Sequence, residues 1–300
     1  MLHRSTLVSL CVLCTVLGSV PPTFSQALIP HTVAPDAKQL QQTGVALLRE
    51  ALQLAQFQQF EPALARTKLA TQLLPQSEEA WALLGELYLN TNQLDAGIQS
   101  LERSQSLNSN NPGVNFSLGS AYFRKGNYAA AERVLQAGLK AKPGVPAALF
   151  DLGNTYLRMG KLDEAIRQYK KAIESDQKFW PAINNIGLVQ YEQDNIKSAI
   201  QSWKAAITID EKSSEPKLAL AVALYKQGET EQGITLASAA LSLDRRYGDV
   251  AFLKDNLWGD RLIADTKVIL ATPKVRATLA QLSDVPAPTK PGSPPAQPSP

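Results

Sequence analysis

Cysteine and histidine are almost missing from this chain of 300 residues. Both cysteines, Cys11 and Cys14, lie near the amino terminus, and the two histidines are His3 and His31. If the amino terminus is removed, no thiol remains for a disulfide, a thiolate metal site or a nucleophile. His31 is then the only histidine, and its proline-flanked position predicts an exposed linker residue rather than a catalytic one.

Catalytic motifs are missing as well. The sequence has no G-x-S-x-G elbow, no G-x-x-x-x-G-K-[ST] or G-x-G-x-x-G phosphate loop, and no H-E-x-x-H zinc motif. Carboxylate pairs such as Asp163 and Glu164 fall at predicted helix starts, where negative charge complements the helix dipole. We therefore predict a protein that is not an enzyme, with no catalytic residue, no cofactor and no metal ion.

An excess of one charge is also absent, since the formal net charge is +3. Acidic and basic residues alternate along the chain without a basic stripe, which argues against nucleic acid as the main partner. Hydrophobic residues make up 44% and charged residues 19% of the sequence, as in an ordinary folded domain.

The longest apolar run lies at the amino terminus. Arg4 precedes a stretch from Leu7 to Val20, about 14 residues, which suits a signal-peptide core and is short for a membrane span of about 20 residues. Small residues follow at Ser25 and Ala27, so residues 1–27 are predicted to be a signal peptide, with cleavage after Ser25 as a second option. The signal peptide predicts export to a bacterial periplasm or a thylakoid lumen, without stable membrane insertion after cleavage. An uncleaved membrane anchor is the alternative.

Two further segments stand apart from the rest. Residues 28–43 are predicted to be a linker and the start of the first helix, with Asp36 as its N-cap. Residues 285–300 read VPAPTKPGSPPAQPSP, and proline at this density removes backbone donors and favours extended backbone. A disordered proline-rich tail is predicted there.

Between these segments the sequence repeats with a period of 34 residues. The string LGNTYLRMGKLDEA from Leu152 aligns with LGSAYFRKGNYAAA from Leu118 and with LGELYLNTNQLDAG from Leu84. Each unit predicts two amphipathic helices joined by a turn, for example at Gly160. Six units fit the period without insertion or deletion: 44–77, 78–111, 112–145, 146–179, 180–213 and 214–247.

Small residues recur at fixed places in the units. Gly153 occupies the middle of the first helix of the fourth unit, although glycine there costs about 0.5–1 kcal/mol relative to alanine. Ala165 and Ala172 are the small residues at fixed places in the second helix. Because two helices cross closely only where side chains are small, these residues are predicted to be structural spacers.

This pattern resembles the tetratricopeptide repeat (TPR). Trp81, Leu84, Gly85 and Tyr88 carry the opening of the family pattern, and the closing proline matches Pro75. The resemblance implies an all-α, right-handed superhelical solenoid whose first helices line a concave groove. Residues 248–284 are expected to form capping helices with charge on their outer side, at Lys254, Asp255, Asp260, Arg261, Asp265 and Lys267.

The resemblance also implies which side chains line the groove. Apolar and aromatic residues beside hydrogen-bond donors suit a protein or peptide segment, and a role of the phenylalanines in packing between units is the alternative. Phe150, Glu215 and Ala219 stand where a clamp for a partner's terminal carboxylate would need cations, which argues against that binding mode. The expected groove residues are Phe116, Ser120, Phe123, Arg124, Phe150, Asn154, Leu157, Arg158, Asn184, Asn185, Tyr191, Glu192, Tyr225 and Lys226.

The sequence therefore predicts a non-catalytic exported scaffold that binds a protein or peptide segment in its groove. Assembly of an envelope, secretion or membrane complex is the expected role. An envelope- or carbohydrate-binding accessory protein, with aromatic rings stacked on sugars, is the alternative. Self-association through the groove or the last helices stays open.

Overall fold

The computed structural model describes residues 36–283, which form fifteen α-helices, one short 3-10 helix and no strand. The predicted signal peptide, His31 and the proline-rich tail lie outside the described residues. None of the helices between residues 36 and 283 combines the length and the hydrophobicity needed to cross a membrane.

Twelve helices form six successive pairs, and each pair packs on the next. Odd-numbered helices contact one another from pair to pair and so share one face of the array. The predicted all-helical solenoid is confirmed. The paired helices are α1 Ala37–Gln56, α2 Phe60–Leu73, α3 Glu78–Asn90, α4 Leu94–Leu107, α5 Pro112–Arg124, α6 Tyr128–Ala141, α7 Pro146–Arg158, α8 Leu162–Ser175, α9 Trp180–Glu192, α10 Ile196–Ile209, α11 Ser214–Lys226 and α12 Thr230–Leu243.

The chain then continues through a 3-10 helix, Arg245–Gly248, into three more helices: α13 Val250–Asp255, α14 Asp260–Leu270 and α15 Pro273–Ser283. Helix α15 packs on α12 at the end of the array, whereas α14 lies against α9 and α11. The carboxy-terminal helices therefore cover the last pair and also reach the face formed by the odd-numbered helices.

Local sequence signals set the ends of the helices. Asp36 caps α1 by accepting from the amide of Lys38, and Asn111 caps α5 in the same way for Gly113 and Val114. Each pair turns at a residue in the left-handed conformation at the same place in the repeat. That residue is Gln58, Asn92, Gly126, Gly160, Asp194 or Gly228.

The small residues of the repeat allow the two helices of a pair to cross closely. A Cβ atom on Gly153 would lie 2.6 Å from Cδ1 of Tyr169, whose side chain is fully buried. Gly119 faces Leu135 and Gly187 faces Trp203 in the same manner. The interior of the array is thus built from a large side chain of the second helix placed over a glycine of the first.

We expect Gly153→Ala to lower the free energy of unfolding by about 1–3 kcal/mol, because the added methyl group must displace the Tyr169 ring. Thermal and urea unfolding followed by circular dichroism measure the effect. Gly113→Ala in α5 is the matched control, since its Cβ would meet only the Asn111 side chain, at 3.3 Å. Equal stability of the two variants would contradict the spacer role of Gly153.

Candidate functional site

The face shared by the odd-numbered helices corresponds to the groove-lining surface that the TPR resemblance implies, and we call it the concave surface. One row of polar side chains follows it with the 34-residue period, at the carboxy-terminal end of each odd-numbered helix. We call this set the concave row, and its members are Gln56, Asn90, Arg124, Arg158, Glu192 and Lys226. The last three contact the part of the chain that comprises α13 and α14, residues 250–270, which we call the C-terminal segment.

Arg158 binds the end of helix α13. Its guanidinium Nη2 donates to the carbonyl oxygens of Lys254, at 2.8 Å, and Asp255, at 3.3 Å. The last carbonyls of a helix have no partner within the helix and carry partial negative charge. An arginine in this place therefore recognises the backbone at the end of a helix, independently of the side chains that this helix carries.

Glu192 binds the start of helix α14. Its carboxylate accepts from the amides of Arg261, at 3.2 Å, and Leu262, at 2.9 Å. The N-cap residue of α14 is Gly259, which has no side chain to cap the helix, and a Cβ atom there would overlap the Glu192 carboxylate. Glu192 thus supplies the missing cap from another part of the chain.

Lys226 and Tyr191 both bind Asp265, in the middle of α14. The Tyr191 hydroxyl donates to Oδ2 and the Lys226 ammonium to Oδ1, each at 2.7 Å. The expectation that Asp265 lies on an outer side is therefore wrong, because helix α14 lies on the concave surface and Asp265 faces the repeats. Arg261 is exposed while it forms an ion pair with Asp194.

Below these polar contacts the C-terminal segment covers an apolar floor. Leu188, Leu218 and Val222 of the repeats and Leu262 and Ile263 of α14 belong to one buried cluster. In the second and third units, the place equivalent to Leu188 and Val222 holds Glu86 and Ser120. At this position the fourth unit also carries a polar residue, Asn154, the fifth and sixth carry Leu188 and Val222 under the C-terminal segment, and the first carries the exposed Leu52.

Glu215 lies where the C-terminal segment meets the last unit. Its carboxylate accepts from Nε1 of Trp258, at 2.9 Å, and from the hydroxyl of Tyr247, at 3.5 Å. Burial raises the pKa of Glu215 to about 7, and hydrogen bonds from Trp258, Asn184 and Tyr247 oppose that rise. Near neutral pH this carboxyl group is thus partly protonated.

The asparagines expected in the groove bond to one another. Asn154 Oδ1 accepts from the Tyr169 hydroxyl, at 2.8 Å, and from Asn185 Nδ2, at 2.9 Å. Asn184 Nδ2 donates to Asn185 Oδ1 at 3.1 Å, while Asn184 Oδ1 has no partner. All three are buried, so they join the fourth and fifth units below the surface.

The C-terminal segment reaches along the array as far as Arg158 of the fourth unit, and it does not cover the concave surface of the first three units or the start of the fourth. We call it the open groove and define it by Leu52, Glu86, Leu89, Ser120, Arg124 and Asp151. Leu52 is 48% exposed, and Arg124 is exposed and donates to Asn92 Oδ1 at 3.2 Å.

Two carboxyl groups lie in the open groove, Asp151 half-buried and Glu86 exposed. Ser120 donates to Asp151, and Ser117, one turn earlier on α5, donates to Glu86 at 3.5 Å. Burial raises the pKa of Asp151 to about 6, and partial desolvation also raises that of Glu86. Within the described part of the chain, no lysine or arginine forms an ion pair with either group.

The expected groove aromatics are directed partly into the repeats. Phe150 has its ring centroid 5.8 Å from that of Tyr169 and 5.6 Å from that of Phe179. Phe116 packs over Gly138, and the Phe123 ring lies 5.5 Å from that of Tyr128. These three residues, like Leu157 and Tyr225, are half-buried. Each leaves only part of its side chain accessible to a ligand.

Residues 36–283 contain no group of three histidine, cysteine, aspartate or glutamate side chains arranged to hold a metal ion. The carboxylates in the concave surface bond to hydroxyl, indole and amide groups instead. The chemistry that the surface offers is recognition through hydrogen bonds, charge and apolar contact.

Two family models match the chain. The TPR domain of the cytochrome c-type biogenesis protein H matches residues 30–178, and a general tetratricopeptide repeat model matches residues 150–216. No curated protein sequence matches the chain.

Several solved structures share the fold. The MamA protein is 25% identical, with a TM-score of 0.53, and the match covers 58% of this chain and 94% of MamA. YrrB, described as a TPR protein with an unusual peptide-binding site, is 21% identical over 64% of this chain and 95% of YrrB, with a TM-score of 0.54. PilF of Pseudomonas aeruginosa is 18% identical over 73% of this chain and 98% of PilF, with a TM-score of 0.59.

We expect Glu215→Gln to reduce the pH dependence of stability. In the wild type the folded state keeps a proton on Glu215 that the unfolded state releases near pH 4.5, so stability falls as the pH rises from about 4.5 to about 7. Glutamine has no such proton, and the loss of stability between pH 5 and pH 8 should shrink by an amount on the order of 1–3 kcal/mol. Urea unfolding at both pH values measures this difference.

The control for this experiment is Glu211→Gln, in the exposed turn that precedes α11. It should leave the wild-type pH dependence unchanged. Asp151 and Glu86 contribute in the same direction in all three proteins, so the comparison isolates Glu215. An unchanged pH dependence in Glu215→Gln would contradict this account.

Proposed function

This chain is a tetratricopeptide repeat protein, and we propose that it is a non-catalytic exported scaffold whose open groove binds a segment of another protein. The proposal rests on how the C-terminal segment binds to the concave surface. Arg158 and Glu192 hold that segment by its backbone groups at two helix ends. The concave surface of this chain is thus already built to receive a polypeptide.

The open groove continues the same row of side chains. Arg124 precedes Arg158 by one repeat on the concave row, and Asn90 precedes Arg124 by one more. Exposed Leu52 and half-buried Leu89 offer apolar contact beside these polar groups. A partner segment that lies along this row gains both kinds of interaction that peptide grooves use.

The unpaired carboxyl groups of the open groove favour a basic side chain in the partner. Asp151 is half-buried and Glu86 is exposed but partly desolvated, and among the described residues each has a serine hydroxyl as its one side-chain partner. A lysine or arginine would provide the missing opposite charge and lower both pKa values. The preferred partner segment therefore combines apolar residues with a cation.

The sugar-binding alternative has less support. Stacking on a sugar ring needs an aromatic face open to solvent, and the rings of Phe116 and Phe150 pack over Gly138 and against Tyr169.

The proposal of export, and of assembly of an envelope, secretion or membrane complex, rests on the signal-peptide pattern of residues 1–27. The resemblance of residues 30–178 to a domain named for cytochrome c biogenesis is consistent with an assembly role.

Site-specific photocrosslinking tests the open groove. We expect a photoreactive amino acid at Leu52 to give discrete protein adducts in cells, because this side chain lies exposed on the concave surface. Leu69 on α2 is the matched control, since its exposed fraction is 51% against 48% for Leu52, but it lies on the second helix of the same pair. Glu86→Lys should reduce the Leu52 adducts. Equal adducts from Leu52 and Leu69 would refute binding in the open groove.

Cell fractionation and intact mass measurement test export. The mature protein should lack the first 25 or 27 residues and should occur with extracytoplasmic soluble proteins. Arg4→Glu together with Leu10→Arg should retain the full-length chain in the cytoplasm. A full-length wild-type chain in the cytoplasmic fraction would contradict the export proposal.

A further inference from the structure

The C-terminal segment does more than close the end of the solenoid. Helix α15 covers α12, the 3-10 helix packs beside it, and Leu279 of α15 lies next to Gly248 and Leu241. Arg245 also donates to the carbonyl oxygen of Leu282, at 2.9 Å. The end of the array therefore has a cap of its own, and the C-terminal segment occupies a different surface.

The residues of that surface are arranged as in a binding site. The segment meets Arg158, Glu192 and Lys226 of the concave row, which are equivalent residues of three consecutive units. Two of them bind backbone groups at helix ends, and the third pairs with the carboxylate of Asp265. A partner helix of another sequence can make the same backbone contacts.

We propose that the C-terminal segment is a resident ligand of units four to six, and that it exchanges with an amphipathic partner helix that carries one carboxylate. This inference rests on the proposed function, because it names a second partner surface on the same concave face. The chemistry of the partner follows from the contacts that the segment makes.

The charge of the surface selects a helix with one carboxylate at a defined place, while Asp194 pairs with the basic Arg261 of the resident helix. Lys226 and the Tyr191 hydroxyl converge on one carboxylate, which in the resident segment lies six residues after Gly259. A partner needs an aspartate or glutamate at that distance from its own helix start. It also needs exposed amides in its first turn for Glu192, because the buried end of a helix requires a cap.

The apolar floor determines how exchange occurs. Leu188, Leu218 and Val222 are almost completely buried under the segment, and exposing them to water costs about 25 cal/mol per Å² of apolar surface. An empty surface is therefore disfavoured, and release of the segment is coupled to entry of another apolar helix face. The resident segment thereby excludes segments that lack such a face.

The contacts of the segment with the cap centre on Phe252 of α13, whose ring lies 5.0 Å from that of Tyr247 and 4.9 Å from the guanidinium of Arg246. Helix α13 has only six residues, and Leu257 between α13 and α14 adopts a left-handed conformation (φ 68°) that is unfavourable for a leucine. The polypeptide enters and leaves the concave surface at Asp249 and at Thr272, both in turns between helices. Movement of the segment at these two turns leaves α15 on α12.

A binding measurement on the full chain tests the proposal. The probe is a fluorescent peptide with the sequence of residues 249–271, added to wild-type protein and to the double variant Leu262→Asp with Ile263→Asp. The variant weakens the attached segment, so its surface should bind the probe at least about tenfold more tightly than the wild type does. Val268→Asp is the control, because Val268 is 54% exposed on the same helix, and it should behave like the wild type.

A second peptide tests the chemistry of the partner. The same probe with Asp265→Lys should bind the double variant at least about tenfold more weakly, because Lys226 and Tyr191 lose the carboxylate. Equal binding of the two peptides would overturn the requirement for a carboxylate at the position of Asp265. Binding to the double variant that is no tighter than to the wild type, with the helical content of the repeats intact, would overturn exchange.

Hydrogen exchange of the unmodified protein gives an answer even if the double variant does not fold. The amides of α14 should exchange faster than those of α9 and α11, which form the floor. Equal protection of the three helices would show that the segment opens only with the whole protein, and would overturn the proposal. Neither readout involves Leu52 or Glu86, so failure of this inference is distinguishable from failure of binding in the open groove.

Discussion

The structure depends on the need to cover every apolar helix face that the repeat creates. A pair of helices such as α7 and α8 buries the contact between Gly153 and Tyr169 internally, but its flanks are covered only by neighbouring pairs. The last pair has no successor, so α15 takes that place on α12. The concave surface is a separate case, because it is covered where apolar side chains cluster, as at Leu188, Leu218 and Val222.

The chain satisfies this need differently along its length. Glu86 and Ser120 in the early units are compatible with water, and the concave surface there is open. Leu188 and Val222, at the equivalent place in later units, are not, and the C-terminal segment covers them. One repeated fold thus carries a solvent-accessible surface and an occupied one, and this position contributes to the difference together with Leu218, while the exposed Leu52 of the first unit leaves an apolar contact in the accessible part.

The repeat sequence predicted most of the fold, because close crossing of helices restricts residue size at fixed intervals. The resemblance to the TPR family implied that Arg158, Glu192 and Lys226 would line a groove for a partner polypeptide, which stays a prediction. It did not predict that the polypeptide would be part of the same chain, because charges on α14 such as Asp265 were assigned to a solvated outer side. The apolar residues Leu188, Leu218 and Val222 on the concave side were the signal that a cover was required.

The placement of the carboxylates relates the two parts of the surface. Glu215, in the occupied part, is desolvated but receives hydrogen bonds from Trp258 and Tyr247. Asp151, half-buried in the open part, has the Ser120 hydroxyl as its one side-chain partner among the described residues. Because a buried carboxylate without a cationic partner costs stability, the open part is electrostatically incomplete in a way that the occupied part is not. A cationic partner segment would complete it, as the C-terminal segment completes units four to six.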